Sequence, residues 1–244
     1  MIRSVPDGIT ACLFDLDGVL TKTAKLHSAA WKTMFDEYLR RRPDALPAAF
    51  VPFGPIDYQM YVDGKPRLDG VRSFLASRRI DLPEGTPDDP EGSHTVHGLG
   101  ARKNALVLRL IREQGVEVYE GSVRFVNRLR EAGLRLAVVT SSKNADEILA
   151  AAGIASLFEV QLDGLVAERE QLRGKPAPDT FLAAARALGA SPAQAAVFED
   201  ALAGVEAGRA GGFGWVVGVD RAGQAEALRQ RGADIVVQDL AELM

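Results

Sequence analysis

Apolar residues along this chain fall into short runs separated by segments of helical period. Residues 9–17 (ITACLFDLD) form a mostly apolar run closed by two acids, the pattern of a strand buried on both faces. The next run of this kind is 134–141 (LRLAVVTS). From there the alternation is regular. A helix is predicted over 144–152, with Asp146 and Glu147 in its first turn and Gly153 at its end. A short strand over 158–163 follows, then an alanine-rich helix over 179–188 stopped by Gly189. Strands over 195–200, 214–220 and 233–237 alternate with helices over 201–210 and 224–230. Such alternation predicts a doubly wound parallel sheet, a Rossmann-like α/β core.

The stretch between the first two strands breaks that rhythm. Residues 24–42 read as a helix with Trp31, Met34, Phe35 and Tyr38 near one face. Residues 43–69 are rich in proline, glycine and aromatics, and 71–79 read as a second helix. Residues 81–100 are polar, with Pro83, Pro87, Pro90 and many acids, and read as a long loop containing His94 and His97. A further helix is predicted over 102–114. An insertion here implies a separate small helical cap domain over 23–115, with the α/β core formed by 1–22 and 116–244.

Composition narrows the class. With 244 residues, 47% hydrophobic and 25% charged, the chain is an ordinary globular one, long enough to bury a core without disulfide or metal staples. No apolar run approaches the roughly 18 residues of a membrane span. The first eight residues contain no apolar signal core, and one cysteine makes no internal disulfide. A cytoplasmic monomer is therefore the expectation. The net charge of −4 argues against nucleic acid as the main partner.

Ligands of an open parallel sheet sit at the carboxyl ends of its strands. The first strand delivers Phe14-Asp15-Leu16-Asp17-Gly18 there, the second Val139-Thr140-Ser141-Ser142, and the strand over 195–200 Phe198-Glu199-Asp200. Gly174-Lys175-Pro176 lies on the connection between. Carboxylates gathered at one rim repel one another unless a cation sits among them. Hard oxygen donors favour Mg²⁺, with Asp15 and Asp200 as direct ligands. Thr140 and Lys175 complete a phosphate cradle opposite, an arrangement suited to phosphoryl transfer. His94 and His97 have no cysteine near them to make a zinc site.

Four ordered motifs, FDLDGVLTKTAKLHSAAW (14–31), TSSKN (140–144), GKPAPDTF (174–181) and EDALAGVEA (199–207), resemble the haloacid dehalogenase-like superfamily, and within it the β-phosphoglucomutase subfamily. The resemblance implies that Asp15 is a nucleophile that becomes an aspartyl phosphate and that Asp17 is the general acid/base. It implies a metal shell of Asp15, the Asp17 carbonyl and Asp200, supported by Glu199. Thr140, Ser141 and Lys175 would hold phosphate, and Ser142 and Lys143 match contacts to the phosphate that is not being transferred. In the cap, YVDGKPRLDGVRSFL (61–75) implies that Arg67 binds that distal phosphate, and ARKNA (101–105) that Lys103 and Asn104 face the sugar. Thr23 and His27 match hinge positions, with His27 and Trp31 on the substrate side. A cap serine of well-known members is Gly70 here, and the 81–100 loop is longer than theirs.

The implied reaction interconverts β-D-glucose 1-phosphate and glucose 6-phosphate through glucose 1,6-bisphosphate. The alternative is a Mg²⁺-dependent sugar-phosphate phosphatase of the same superfamily, which shares every core residue. A non-catalytic binding module is a third reading, disfavoured by the complete set of acids.

Overall fold

The computed structural model describes residues 5–42 and 50–244. The first four residues of the chain and the start of the 43–69 stretch lie outside them. The described chain divides into two compact units.

The first unit comprises Met1–Lys22, Gly64–Pro66 and Val116–Met244. Its sheet has six parallel strands: β1 (Ala11–Phe14), β2 (Arg135–Val139), β3 (Val160–Leu162), β4 (Ala195–Glu199), β5 (Trp215–Val219) and β6 (Ile235–Val237). They lie in the order β3-β2-β1-β4-β5-β6. This is the doubly wound order, in which the chain reverses direction between β1 and β4 and opens a crevice at their carboxyl ends. Alternate residues feed opposite faces. Ala11, Leu13, Ala137, Val139 and Val197 join one core with Phe181 and Phe213. Phe14 and Phe198 stack on the other face, centroids 4.5 Å apart, and both meet Phe125 edge-on.

The predicted strands are longer than the observed ones; where they overrun at the carboxyl end, as after Phe14, Val139 and Glu199, polar residues leave the sheet to form the rim. Two helices of this unit were not predicted: Gly164–Arg169 and Glu120–Glu131, the second of which buries Ser122, Phe125, Val126 and Leu129. These are the i, i+3, i+4 and i+7 positions of a single face.

The second unit comprises Thr23–Asp63 and Arg67–Gly115. It holds α1 (Ala24–Arg41), the short α2 (Pro55–Asp57) continued by a π-turn over Tyr58–Val62, α3 (Arg67–Ser77) and α4 (Val96–Gln114). The unpredicted Glu120–Glu131 helix is α5; α6 (Ala145–Ala152), α7 (Gly164–Arg169), α8 (Asp179–Ala187), α9 (Leu202–Ala210) and α10 (Ala225–Arg231) complete the first unit. The aromatic rings of Trp31, Phe35, Phe53 and Phe74 form the core of the second unit, with Phe35 4.1 Å from Phe74 and 5.2 Å from Phe53.

The expected 81–100 loop is shorter than the sequence reading has it. α4 begins at Val96, so His97, Gly98 and Gly100 are helical. Thr95 is its N-cap, with Oγ1 accepting from the Gly98 amide at 3.0 Å, and the Val96 and His97 amides donate to the carbonyls of Pro83 and Glu84. The glycines that look like breakers are there for packing. A Cβ on Gly98 would stand 2.4 Å from the Ser93 carbonyl, and one on Gly100 2.7 Å from Leu68. α3 likewise starts earlier than the predicted 71–79 helix.

Candidate active site

The site begins with the register of two strands. Phe14 pairs with Phe198, and the Asp15 amide donates to the Phe198 carbonyl at 3.0 Å. The residues that follow, Asp15 on one strand and Glu199-Asp200 on the other, therefore leave the sheet side by side. Gly18 is what lets the two loops close together. Its φ is +98°, and a Cβ there would stand 1.8 Å from Asp200 Oδ2.

Lys175 reaches into this group from the connection before α8. Its Nζ lies 2.5 Å from Asp15 Oδ1 and 2.6 Å from Glu199 Oε1, and donates to the Val139 carbonyl at 3.2 Å. All three side chains are buried. The second oxygen of Glu199 accepts from the Ala201 amide at 2.8 Å, which fixes the carboxylate just before α9. Gly204 leaves room for it: a Cβ there would stand 1.8 Å from Glu199 Oε1.

The electrostatics follow from burial and neighbours. Burial pushes the Asp15 carboxyl well above the usual carboxylate range; the Lys175 ammonium opposes this, while Glu199 and Asp17 add to it. For Lys175, burial works against the charged form, but Asp15 and Glu199 outweigh it and hold the ammonium above the ordinary lysine range. Asp15, Glu199 and Asp200 bring carboxylate oxygens within 4.8 Å of one another. The Lys175 ammonium pairs with two of them, Asp15 and Glu199. Excess negative charge among buried hard oxygens is the donor chemistry of a divalent-cation site, so these residues fit the metal expected from the sequence.

The hydroxyl cluster lies at the end of β2. Thr140 is buried; its amide donates to the Leu162 carbonyl and its Oγ1 accepts from the Ser142 amide at 3.1 Å. Ser142 Oγ accepts from the Asn144 amide at 3.2 Å. Ser141 Oγ donates to the Gly64 carbonyl at 2.8 Å. Lys143 pairs with Glu168 at 2.7 Å on the surface, a contact of the kind that contributes at most about 1 kcal/mol and exchanges readily.

The segment Gly64–Pro66, which the sequence reading assigned to the cap, belongs to this unit. Besides Ser141, it meets Ala201 and Gly174: a Cβ on Gly64 would stand 2.8 Å from Ala201 Cβ, and one on Gly174 2.0 Å from Pro66 Cγ. It thus touches three of the loops that carry predicted site residues.

The remaining predicted residues are in the second unit, and three of them come together. Lys103 is buried in α4, with Nζ 3.0 Å from His27 Nδ1 and 5.0 Å from the centroid of the Trp31 ring. Asn104 follows it on α4, and Arg67 opens α3. Gly70 has a reason of its own: a Cβ there would stand 3.2 Å from the Trp31 ring.

Sequence reasoning missed the layer behind the acids. Arg221, on the loop after β5, donates from Nε to the Gly18 carbonyl at 2.9 Å, and Gln224 donates from Nε2 to the Asp200 carbonyl at 3.0 Å. The rim residues of β5, beginning with Asp220, were the available signal.

Comparison with known proteins gives the family. A family model for haloacid dehalogenase-like hydrolases matches residues 9–212. The chain is 53% identical to a β-phosphoglucomutase of Mycobacterium bovis, over 100% of this chain and 94% of that protein. It is 31% identical to a β-phosphoglucomutase of Bacillus subtilis, over 96% of this chain and 91% of the relative. The crystal structure of a β-phosphoglucomutase from Clostridium difficile shares the fold, with a TM-score of 0.74 at 23% identity, covering 97% of this chain and 93% of that one. The chain belongs to the haloacid dehalogenase-like family, in its β-phosphoglucomutase branch.

Proposed function

We propose that this chain is a β-phosphoglucomutase, interconverting β-D-glucose 1-phosphate and glucose 6-phosphate through an aspartyl-phosphate enzyme and glucose 1,6-bisphosphate. The observation that carries the phosphoryl-transfer part of this reading is the buried Asp15–Lys175–Glu199 cluster beside Asp200 at the head of the sheet. Mg²⁺ would be held by Asp15, the Asp17 carbonyl and Asp200, with Glu199 in support. When bound, it offsets the charge that otherwise keeps a phosphoryl group away from a carboxylate.

The work of the chain's own residues is as follows. An Asp15 carboxylate oxygen attacks phosphorus of the bisphosphate. The bond from phosphorus to the sugar oxygen breaks, its electron pair stays on that oxygen, and Asp17 supplies the proton. In the second half-reaction Asp17 takes a proton from the hydroxyl of an incoming sugar monophosphate. That hydroxyl attacks the aspartyl phosphate, and the carboxylate is restored. The bisphosphate is regenerated with its two ends exchanged. Lys175 neutralises oxygens of the transferring group, and Thr140 and Ser141 donate to them from the end of β2. Arg67, Ser142 and Lys143 hold the second phosphate, which a bisphosphate has and a monophosphate lacks. His27, Trp31, Lys103 and Asn104 face the sugar. The 53% identity to a β-phosphoglucomutase over the full chain favours the mutase over the phosphatase.

The test follows phosphorus NMR of the purified protein with β-D-glucose 1-phosphate, Mg²⁺ and a trace of glucose 1,6-bisphosphate. Conversion to glucose 6-phosphate is expected. Release of inorganic phosphate in its place would assign the chain to the phosphatases.

A further inference from the structure

The loop between β5 and α10 makes two hydrogen bonds to the rim that share a pattern. Each is donated by a side chain to the main-chain carbonyl of a different acid-bearing loop. Arg221 Nε reaches Gly18 on the loop after β1; Gln224 Nε2 reaches Asp200 on the loop after β4. Both donors are themselves anchored. Asp220 Oδ1 accepts from the amides of Ala222 and Gln224, at 3.2 and 2.8 Å, and so shapes the turn between them. The Arg221 guanidinium lies 3.5 Å from the centroid of the Tyr119 ring, and its Nη1 donates to the Gln238 carbonyl and lies 3.6 Å from Asp239. Tyr119 in turn donates its amide to the Leu20 carbonyl, two residues beyond Gly18.

We infer that Arg221 and Gln224 are positioning residues that set the spacing between the Asp15-Asp17-Gly18 loop and Asp200, and thereby the affinity of the site for its divalent cation. The inference rests on the metal reading given under Proposed function. The two loops approach so closely at Gly18 and Asp200 that little separates a matched spacing from a clash or a gap. Groups behind a metal's direct ligands typically change affinity or activity 10–100-fold when removed.

The direction of the effect separates positioning from mere charge. The guanidinium is positive and close to the acids, so as a charge it repels a cation; removing it would tighten metal binding. As a strap, removing it loosens binding. Arg221→Lys keeps the charge and loses the fork. Gln224→Ala changes no charge at all.

The experiment is Mn²⁺ binding to the purified full chain, stripped of divalent metal, read by electron paramagnetic resonance for wild type, Arg221→Ala, Arg221→Lys, Gln224→Ala and the double variant. Thermal unfolding is recorded alongside. The expected result is a loss of affinity on the order of 10-fold in each single variant. The double variant should be no weaker than the weaker single, because one strap is cut in either case. KM for β-D-glucose 1-phosphate at saturating metal should stay near the wild-type value. If Arg221→Ala does not fold, Arg221→Lys and Gln224→Ala decide the matter by themselves. Lower melting temperatures with unchanged or tighter Mn²⁺ binding would overturn the inference and leave Arg221 as a tie for the C-terminal segment. A wild type that binds no Mn²⁺ would overturn the metal reading on which it stands.

Discussion

A Cβ on Gly18 would stand 1.8 Å from Asp200 Oδ2, so the backbone after Asp17 and the carboxylate after β4 occupy adjoining space that only glycine leaves open. Gly18 also has φ +98°, where a side chain adds about 1–3 kcal/mol of strain. In Gly18→Ala, the Asp200 carboxylate or the Gly18 backbone must shift. The expected outcome is a fall in turnover of about 10²-fold or more, since displacements of about 1 Å at a reacting centre have that effect. Steady-state kinetics on a folded variant check it; near wild-type turnover would show that Asp200 has room to retreat without consequence.

Lys175 is the one ammonium among the buried carboxylates of the described site. Lys175→Met leaves Asp15 and Glu199 facing each other without it, and breaking a buried ion pair in this way costs about 3–5 kcal/mol. The loss should be larger in chelator than in excess Mg²⁺, because a cation at the acids offsets part of the charge. Urea unfolding with and without metal gives both values. Equal losses in the two conditions would separate the lysine from the metal site.

Gly70 sits within α3 against the Trp31 ring. Two effects oppose each other in Gly70→Ala. Helix propensity favours alanine by up to about 1 kcal/mol. Against it, the new Cβ meets the ring at 3.2 Å, and Trp31 is pinned by its stack on Phe35. Overpacking of this kind costs about 1–3 kcal/mol, so the variant should be less stable than wild type. It should also raise KM for the sugar phosphate, since the same ring lies under Lys103. A gain in melting temperature with unchanged KM would mean that the ring yields freely.

Much of this arrangement was legible because it is local. The acids and the hydroxyls follow apolar runs, so strand ends announced them, whereas Lys175 lies on a connection and was legible through the GKPAPDTF motif. What needed the fold was less visible. α5 hides its face among arginines, and a reading by apolar density passes over it where a reading by period finds Phe125, Val126 and Leu129. Gly98 and Gly100 read as loop because a glycine required by a packed neighbour looks like a helix breaker. Arg221 and Gln224 carry no motif: their partners are main-chain carbonyls brought near only by the order of β1, β4 and β5.

Asp17 is assigned the proton, Asp15 the phosphoryl group, and substitution should divide them. Asp17→Asn removes general acid/base catalysis, a loss of about 10²–10⁴-fold for sugar phosphates. Acetyl phosphate has a leaving group that needs little protonation, so phosphorylation from it should fall far less. Rapid-quench measurement of phosphoenzyme from each donor makes the comparison. An equal loss with both would remove Asp17 from the proton transfer.

The central claim is that Asp15 carries the phosphoryl group between the two half-reactions. The most direct measurement treats wild type and Asp15→Asn with acetyl phosphate and Mg²⁺, quenches in acid, and locates any acyl phosphate by peptide mass spectrometry. The account predicts one phosphoryl group on the wild-type peptide that contains Asp15, lost on addition of β-D-glucose 1-phosphate as glucose 1,6-bisphosphate forms, and no phosphoryl group on the variant. A phosphoryl group on any other residue, or one retained in Asp15→Asn, would contradict it.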